Sequence, residues 1–372
     1  MKPLRMLCVV GAVSVLVSAC AGQPAGTVPT LDPRPLAAPS IRGVAYHGMW
    51  TSRTATDRAE ILDRVAEAGI QWVRLDIAWS RLQPVGPDSF DERAVNDVDQ
   101  RLREIEERGL SVLVMLWWAP PWSSGTADQS GVPGNPEDYA RTAAWMVHRW
   151  GDRIDALEVW NEPDLPEFFA STSAAEYATL LKATYPMVKA VRPGLPVVSA
   201  AAASLNPQWY ADFFDNDVIG SYDALGAHPY PTVADVPPYL CEKAPDTGCN
   251  LRWLSSYAAT RGDDDHAIWV TEFGYSTHGQ QAVPGWQRGV TEGEQARYTA
   301  AMLAYFGSLP RVEAAFVYRD RDFPDSDGQD HQNSFGILRA DGSTKPVYDV
   351  LTCSPAAECA GLAGEAFTGR HR

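Results

Sequence analysis

Two glutamates stand out by their company. In Val159-Trp160-Asn161-Glu162-Pro163-Asp164, an apolar run delivers an amide, a carboxyl group and a proline in immediate succession. In Trp269-Val270-Thr271-Glu272-Phe273-Gly274-Tyr275, a second carboxyl group ends another apolar run. Proline breaks regular backbone pairing, so Glu162 sits where a buried segment gives way to a loop, and Glu272 emerges at the rim of its own apolar run. Either one alone could be a capping carboxylate before a loop. Together they suit cleavage of a glycosidic bond, in which one carboxylic acid protonates the leaving oxygen while the other carboxylate attacks the anomeric carbon. A gap of about 5–5.5 Å between them gives net retention.

The elements that must bring these groups together are legible as an alternation. Short apolar runs at Gly43–Tyr46, Trp72–Asp76, Ser111–Trp117, Ala156–Trp160, Val197–Ala201, Ala224–Ala227, Ala267–Thr271 and Ala314–Tyr318 read as eight strands. Between them run amphipathic stretches: Ile61, Leu62, Val65 and Ala68 stop before Gly69, and Val95, Val98, Leu102 and Ile105 before Gly109. Spacings of three and four put such side chains on one helical face, and the glycines fit C-caps. Helices after the fifth and sixth strands are indistinct, and 231–250 reads as a long loop. Eight strand–helix units in one series favour a closed parallel (β/α)8 TIM barrel in a single domain over an open sheet. In a barrel the chemistry belongs at the C-terminal ends of the strands, and the ends of the fourth and seventh strands face each other across one mouth.

WNEP on one strand and Glu-Phe-Gly on another resemble the marks of clan A glycoside hydrolases. The likeness runs from Gly43 to about Tyr348, and with AHPYP and TEFGYST it looks most like family 39 and related bacterial exopolysaccharide hydrolases, with family 5 second. The resemblance implies Glu162 as acid/base and Glu272 as nucleophile. It also implies that Asn161 binds the substrate 2-hydroxyl, that Arg74 (in Val73-Arg74-Leu75-Asp76) holds the nucleophile, and that Tyr230 (in His228-Pro229-Tyr230) hydrogen-bonds it. Arg74 could instead be a structural ion pair, and His228 either a substrate-binding residue or a satisfied core histidine. Asp164 stands where family 39 members often have asparagine, and Tyr318 where many clan members have tryptophan. An arginine and a phenol beside Glu272 are expected to lower its pKa, and a drier setting to keep Glu162 protonated.

Thirteen tryptophans exceed what core packing needs. Trp118 and Trp122, with Trp117 and Trp160, cluster near strand ends and are candidate platforms for sugar faces, as is Tyr318. Trp286 lies in a loop after the seventh strand. Arg319-Asp320 and Arg321-Asp322 place charges beside the mouth, either to read a polar or acidic sugar substituent or as surface ion pairs. The net charge of −16 and the lack of clustered Lys and Arg argue against a nucleic-acid partner. The seven histidines do not gather at strand ends, so no metal and no cofactor is expected. The substrate expected is a cell-envelope or environmental polysaccharide or oligosaccharide, and the protein is expected to act as a monomer. A non-catalytic carbohydrate-binding barrel and a transglycosidase with the same carboxylate pair remain open.

Residues 1–19 carry Lys2 and Arg5, then an apolar run from Met6 to Val17, and read as an export signal. Val17-Ser18-Ala19-Cys20 resembles a bacterial lipobox, implying lipidation of Cys20 and anchorage at the outer face of the cell membrane. Residues 20–40, rich in Pro, Ala, Gly and Thr, read as a tether, 41–352 as the barrel, and 353–372 as a tail. In an oxidising compartment Cys241 pairs naturally with Cys249 and Cys353 with Cys359.

Overall fold

The computed structural model describes residues 38–243, 247–279, 283–323 and 330–352. Cys20, Cys353 and Cys359 lie outside them, as do residues 1–19. The eight strands are β1 (Ile41–Tyr46), β2 (Trp72–Ala78), β3 (Ser111–Trp117), β4 (Ala156–Val159), β5 (Val197–Ser199), β6 (Ala224–Ala227), β7 (Ala267–Phe273) and β8 (Val312–Val317). Each pairs in parallel with its sequence neighbour, and β1 pairs with β8, closing the barrel.

Ten helices surround the strands among the described residues. They are α1 (Ala55–Glu67), α2 (Trp79–Leu82), α3 (Glu92–Glu106), α4 (Pro121–Ser124), α5 (Pro136–Trp150), α6 (Ala174–Val191), α7 (Pro207–Phe214), α8 (Leu251–Thr260), α9 (Glu292–Gly307) and α10 (Pro346–Thr352). Their starts follow capping chemistry: Thr54 and Asp57 form a capping box on α1, Thr291 and Glu294 another on α9, and Asn135, Ser173, Asn206 and Asn250 accept from first-turn amides. The indistinct helices after β5 and β6 are the short α7 and α8, too brief for a long periodic pattern. None of the described helices is long and apolar enough to cross a membrane.

The barrel interior is layered, and the layering positions the site. A lower layer of Leu113, Ala156, Val198, Ala224, Trp269, Ala314 and Phe316 fills it, with Trp72 packed against them. A Cβ on Gly43 would lie 2.2 Å from the Phe316 ring, so glycine is the residue that leaves room for it. Strand side chains alternate, so the residues two beyond Trp72 and Ala156, Arg74 and Glu158, also face inward, one layer nearer the mouth. Outward-facing residues such as Val73, Leu75, Leu157 and Val159 join the larger core beneath the helices. Cys241 and Cys249, both buried, form a disulfide with Cα atoms 5.1 Å apart.

Candidate active site

Glu162 and Glu272 reach the mouth by two departures from regular geometry. After β4 the chain takes left-handed backbone at Trp160 (φ 76°) and again at Glu162 (φ 41°). Such conformations cost roughly 1–3 kcal/mol each for non-glycine residues and persist only where packing imposes them. Trp160 supplies the packing: it is fully buried, its amide donates to the Leu116 carbonyl at 3.1 Å and its indole to the Phe168 carbonyl at 3.0 Å. In β7, Trp269 faces the interior and Val270 the outer core. Strict alternation would then send Thr271 inward and Glu272 outward. The pairing with β8 shifts register between Val270 and Phe273, and this bulge lets both Thr271 and Glu272 reach the barrel interior.

One guanidinium organises the carboxylates. Arg74 donates through Nε to Glu158 Oε2 at 2.5 Å, through Nη1 to Glu272 Oε1 at 2.5 Å and through Nη2 to Asn161 Oδ1 at 2.7 Å. Arginine only donates, so Asn161 must turn its oxygen to Arg74 and its NH2 elsewhere. Tyr230 donates to Glu272 Oε2 at 3.1 Å. His228 is fully buried, with Nδ1 2.8 Å from Glu162 Oε1 and Nε2 3.0 Å from Thr271 Oγ1. Its place is behind Glu162, holding one carboxyl oxygen, so it touches the carboxyl group and not the open mouth. No described residue hydrogen-bonds Glu162 Oε2.

Ionisation follows from this arrangement. Glu162 is pushed up to about 7 by burial, with Glu158 and Glu167 adding and Arg74 opposing. Burial holds His228 down to about 4, helped by Arg74 and opposed by Glu272 and Glu158. Near neutral pH His228 therefore carries no charge, and Arg74 is the standing cation among three carboxyl groups. Glu272 differs from the sequence expectation: its pKa is raised, because burial and the neighbouring Glu162 and Glu158 outweigh the attraction of His228 and Arg74.

Glu158 is the residue that sequence reasoning passed over. It is fully buried, and its signal was a carboxylate within the otherwise apolar Ala156-Leu157-Glu158-Val159. Among the aromatic candidates, Trp118 is half-buried and stacks on Trp117 at 4.0 Å between ring centroids. Trp122 donates its indole NH to the Gln83 carbonyl and packs edge-on against Trp79, which ties it to the surrounding core. Trp160 is core throughout. Tyr318 follows β8 and lies 5.3 Å from the Phe335 ring and 5.5 Å from His47. Glu162, His228 and Glu272 each offer a donor atom within 4.8 Å of the others, a set that could also hold a divalent ion, and so do Asp263, Asp265 and His266 at the start of β7. Asp263 is engaged by Arg311 at 2.9 Å.

Residues 134–349 match the model of the glycosyl hydrolase catalytic core, more than half of the 372 residues. The chain belongs to that family. It is 29% identical over 109 residues to a beta-glucosidase of Agrobacterium sp., a stretch spanning 28% of this chain and 23% of that enzyme. Its barrel resembles a family 39 glycoside hydrolase from Bacteroides cellulosilyticus (TM-score 0.66, 22% identity, 86% of this chain and 64% of that one). It also resembles a monomeric beta-xylosidase from Caulobacter crescentus (TM-score 0.62, 19% identity, 85% of this chain and 68% of that one). The glycosyl hydrolase described here therefore spans under a quarter of that curated relative and under two thirds of the first of these structures.

Proposed function

We propose that the protein is a retaining glycosidase of the family 39 type that cleaves a polysaccharide by double displacement. The observation that carries this reading is the separation of the two carboxyl groups: an oxygen of Glu162 and an oxygen of Glu272 lie within 4.8 Å of each other. Oxygens that close favour the near pair of a retaining enzyme, whose carboxyl groups stand roughly 5–5.5 Å apart, over the about 6.5–9.5 Å that an inverting pair needs to admit a water.

In the first step Glu272 attacks the anomeric carbon through an oxygen aimed by Arg74 and Tyr230. Glu162, protonated up to about pH 7, delivers its proton to the glycosidic oxygen through Oε2, which has no hydrogen-bond partner among the described residues. The NH2 of Asn161 donates to the sugar 2-hydroxyl, a contact whose direction is set because Arg74 occupies the amide oxygen. In the second step Glu162, now ionised, takes a proton from water as that water attacks the glycosyl ester, and Glu272 leaves as a carboxylate.

The test is stereochemical. Proton NMR during hydrolysis of an aryl glycoside by the purified full chain should show the first-formed sugar with the substrate's anomeric configuration. Inversion, or no turnover across a broad glycoside and polysaccharide panel, refutes the reading. The motif at Val17-Ser18-Ala19-Cys20 supports export with a lipid anchor at Cys20. Cys20→Ala should then move the protein from the membrane to the soluble fraction, and unchanged fractionation would count against the anchor.

A further inference from the structure

Four charged residues follow β8 in succession, and three of them are committed to partners within the fold. Asp320 accepts from Arg53 Nη2 at 3.1 Å and from the His47 amide at 3.1 Å. Arg321 donates through Nη1 to Asp57 Oδ1 at 2.8 Å and through Nε to the Ala340 carbonyl at 2.9 Å. Asp322 pairs with Lys345 at 2.8 Å and accepts from the Gly336 amide at 2.7 Å. Arg319 is the exception. Its side chain is as deeply buried as those of its neighbours, at 1% exposure, yet its Nε and Nη2 are buried without a hydrogen-bond partner among the described residues. The nearest carboxylate oxygen, Asp320 Oδ1, is 3.8 Å from Nε and is already engaged by Arg53.

The surroundings point to what is missing. The Arg319 guanidinium carbon lies 3.7 Å from the Phe323 ring centroid, 5.7 Å from that of Trp50 and 5.9 Å from that of Tyr318. Trp50, Phe323 and Tyr318 are all half-buried, so they form aromatic walls around a buried cation. These rings lead toward the carboxylate pair. Trp50 donates its indole NH to Asp76 Oδ2 at 3.0 Å, and Asp76 lies two residues beyond Arg74 on β2. Tyr318 touches Phe335, which packs 6.2 Å from Tyr230, the residue bonded to Glu272. Ring contact offsets only part of the cost of a buried guanidinium without acceptors, and a planar anion offering two oxygens in the guanidinium plane would supply the rest.

We propose that Arg319 binds a carboxylate on the sugar seated beside Glu162 and Glu272, so that the substrate is a glycan bearing uronic acid. This inference rests on the glycosidase site described above. It is tested with the full chain on two matched pairs of 4-nitrophenyl β-glycosides, glucuronide against glucoside and galacturonide against galactoside, which differ only in carboxylate against hydroxymethyl. At least one uronide should exceed its neutral partner in kcat/KM by roughly 10- to 100-fold, the worth of a charge-assisted bidentate contact. Arg319→Met, which keeps the side chain's apolar bulk, should erase that preference while leaving the neutral substrates within about threefold, and Arg319→Lys should retain part of it. Neutral glycosides preferred in both pairs, or equal losses on both members in Arg319→Met, would overturn the inference. Should Arg319→Met fail to fold, the wild-type preference and the lysine variant still decide it. Absence of turnover on every member of the panel would instead count against the catalytic reading itself.

Discussion

Replacing Glu158 with glutamine probes the electrostatics of the site without touching either carboxyl group that acts on substrate. Glu158 and Glu272 each lie 2.5 Å from nitrogens of the same Arg74 guanidinium. Adding a guanidinium width of roughly 2.3 Å puts their facing oxygens no more than about 7 Å apart. At an effective dielectric constant of about 20, two unit charges about 7 Å apart repel by about 2.4 kcal/mol, or roughly 1.7 pH units. Glu158→Gln keeps an acceptor for Arg74 Nε but removes the charge, so losing a proton becomes easier for Glu272. Glu162, which Glu158 also raises, should move the same way. The assay is the pH profile of kcat/KM on an activated aryl glycoside. Its acid limb, set by Glu272, should shift to lower pH by about one to two units, with the alkaline limb following in the same direction. An acid limb that stays in place or moves to higher pH would refute the charge-sharing account of Arg74.

Three further outcomes follow from the same geometry. With Glu162 titrating at about 7, its protonated form is lost as pH rises, so activity should fall on the alkaline side near neutrality. Glu162→Gln should abolish that limb when the leaving group needs no proton, and an unchanged limb assigns it to another group. Tyr230→Phe removes the donor 3.1 Å from Glu272. It should lower kcat about 10- to 100-fold, the usual worth of a hydrogen bond to a charged group, with KM little changed in steady-state assays; a change confined to KM would place Tyr230 in substrate binding instead. The Cys241–Cys249 bridge closes a separation of 8 residues. Cutting it by Cys241→Ser with Cys249→Ser should cost about 2–3 kcal/mol and lower Tm by about 3–5 °C, whereas an unaltered melting curve would show that it does not stabilise the fold.

The barrel was legible because buried parallel strands and amphipathic crossover helices carry opposite periodicities, and eight alternations leave few topologies. The facing of Glu162 and Glu272 followed from strand order. What escaped were features set by contacts remote in the chain. Glu158 lay inside an apolar run, where one carboxylate among Ala156, Leu157 and Val159 did not alter the strand reading, and its purpose appears only when Arg74 arrives from β2. The inward turn of Glu272 depends on a bulge that alternation does not reveal. Its raised pKa reflects the depth of the mouth, a property of the closed barrel and not of the local motif. The run Arg319 to Asp322 read alike in sequence, and only Arg53, Asp57 and Lys345 show which charges are spoken for. Trp160, read as a sugar platform, is the buried anchor of the left-handed turn that presents Asn161 and Glu162.

The account depends most on Glu272 as the atom donor to the glycosyl intermediate. A 2-deoxy-2-fluoro glycoside with a good leaving group should inactivate the enzyme with a burst of one equivalent of leaving group. Peptide mass spectrometry should then place one fluoroglycosyl unit on Glu272. Turnover or inactivation without a covalent adduct, or an adduct on any other residue, would contradict it.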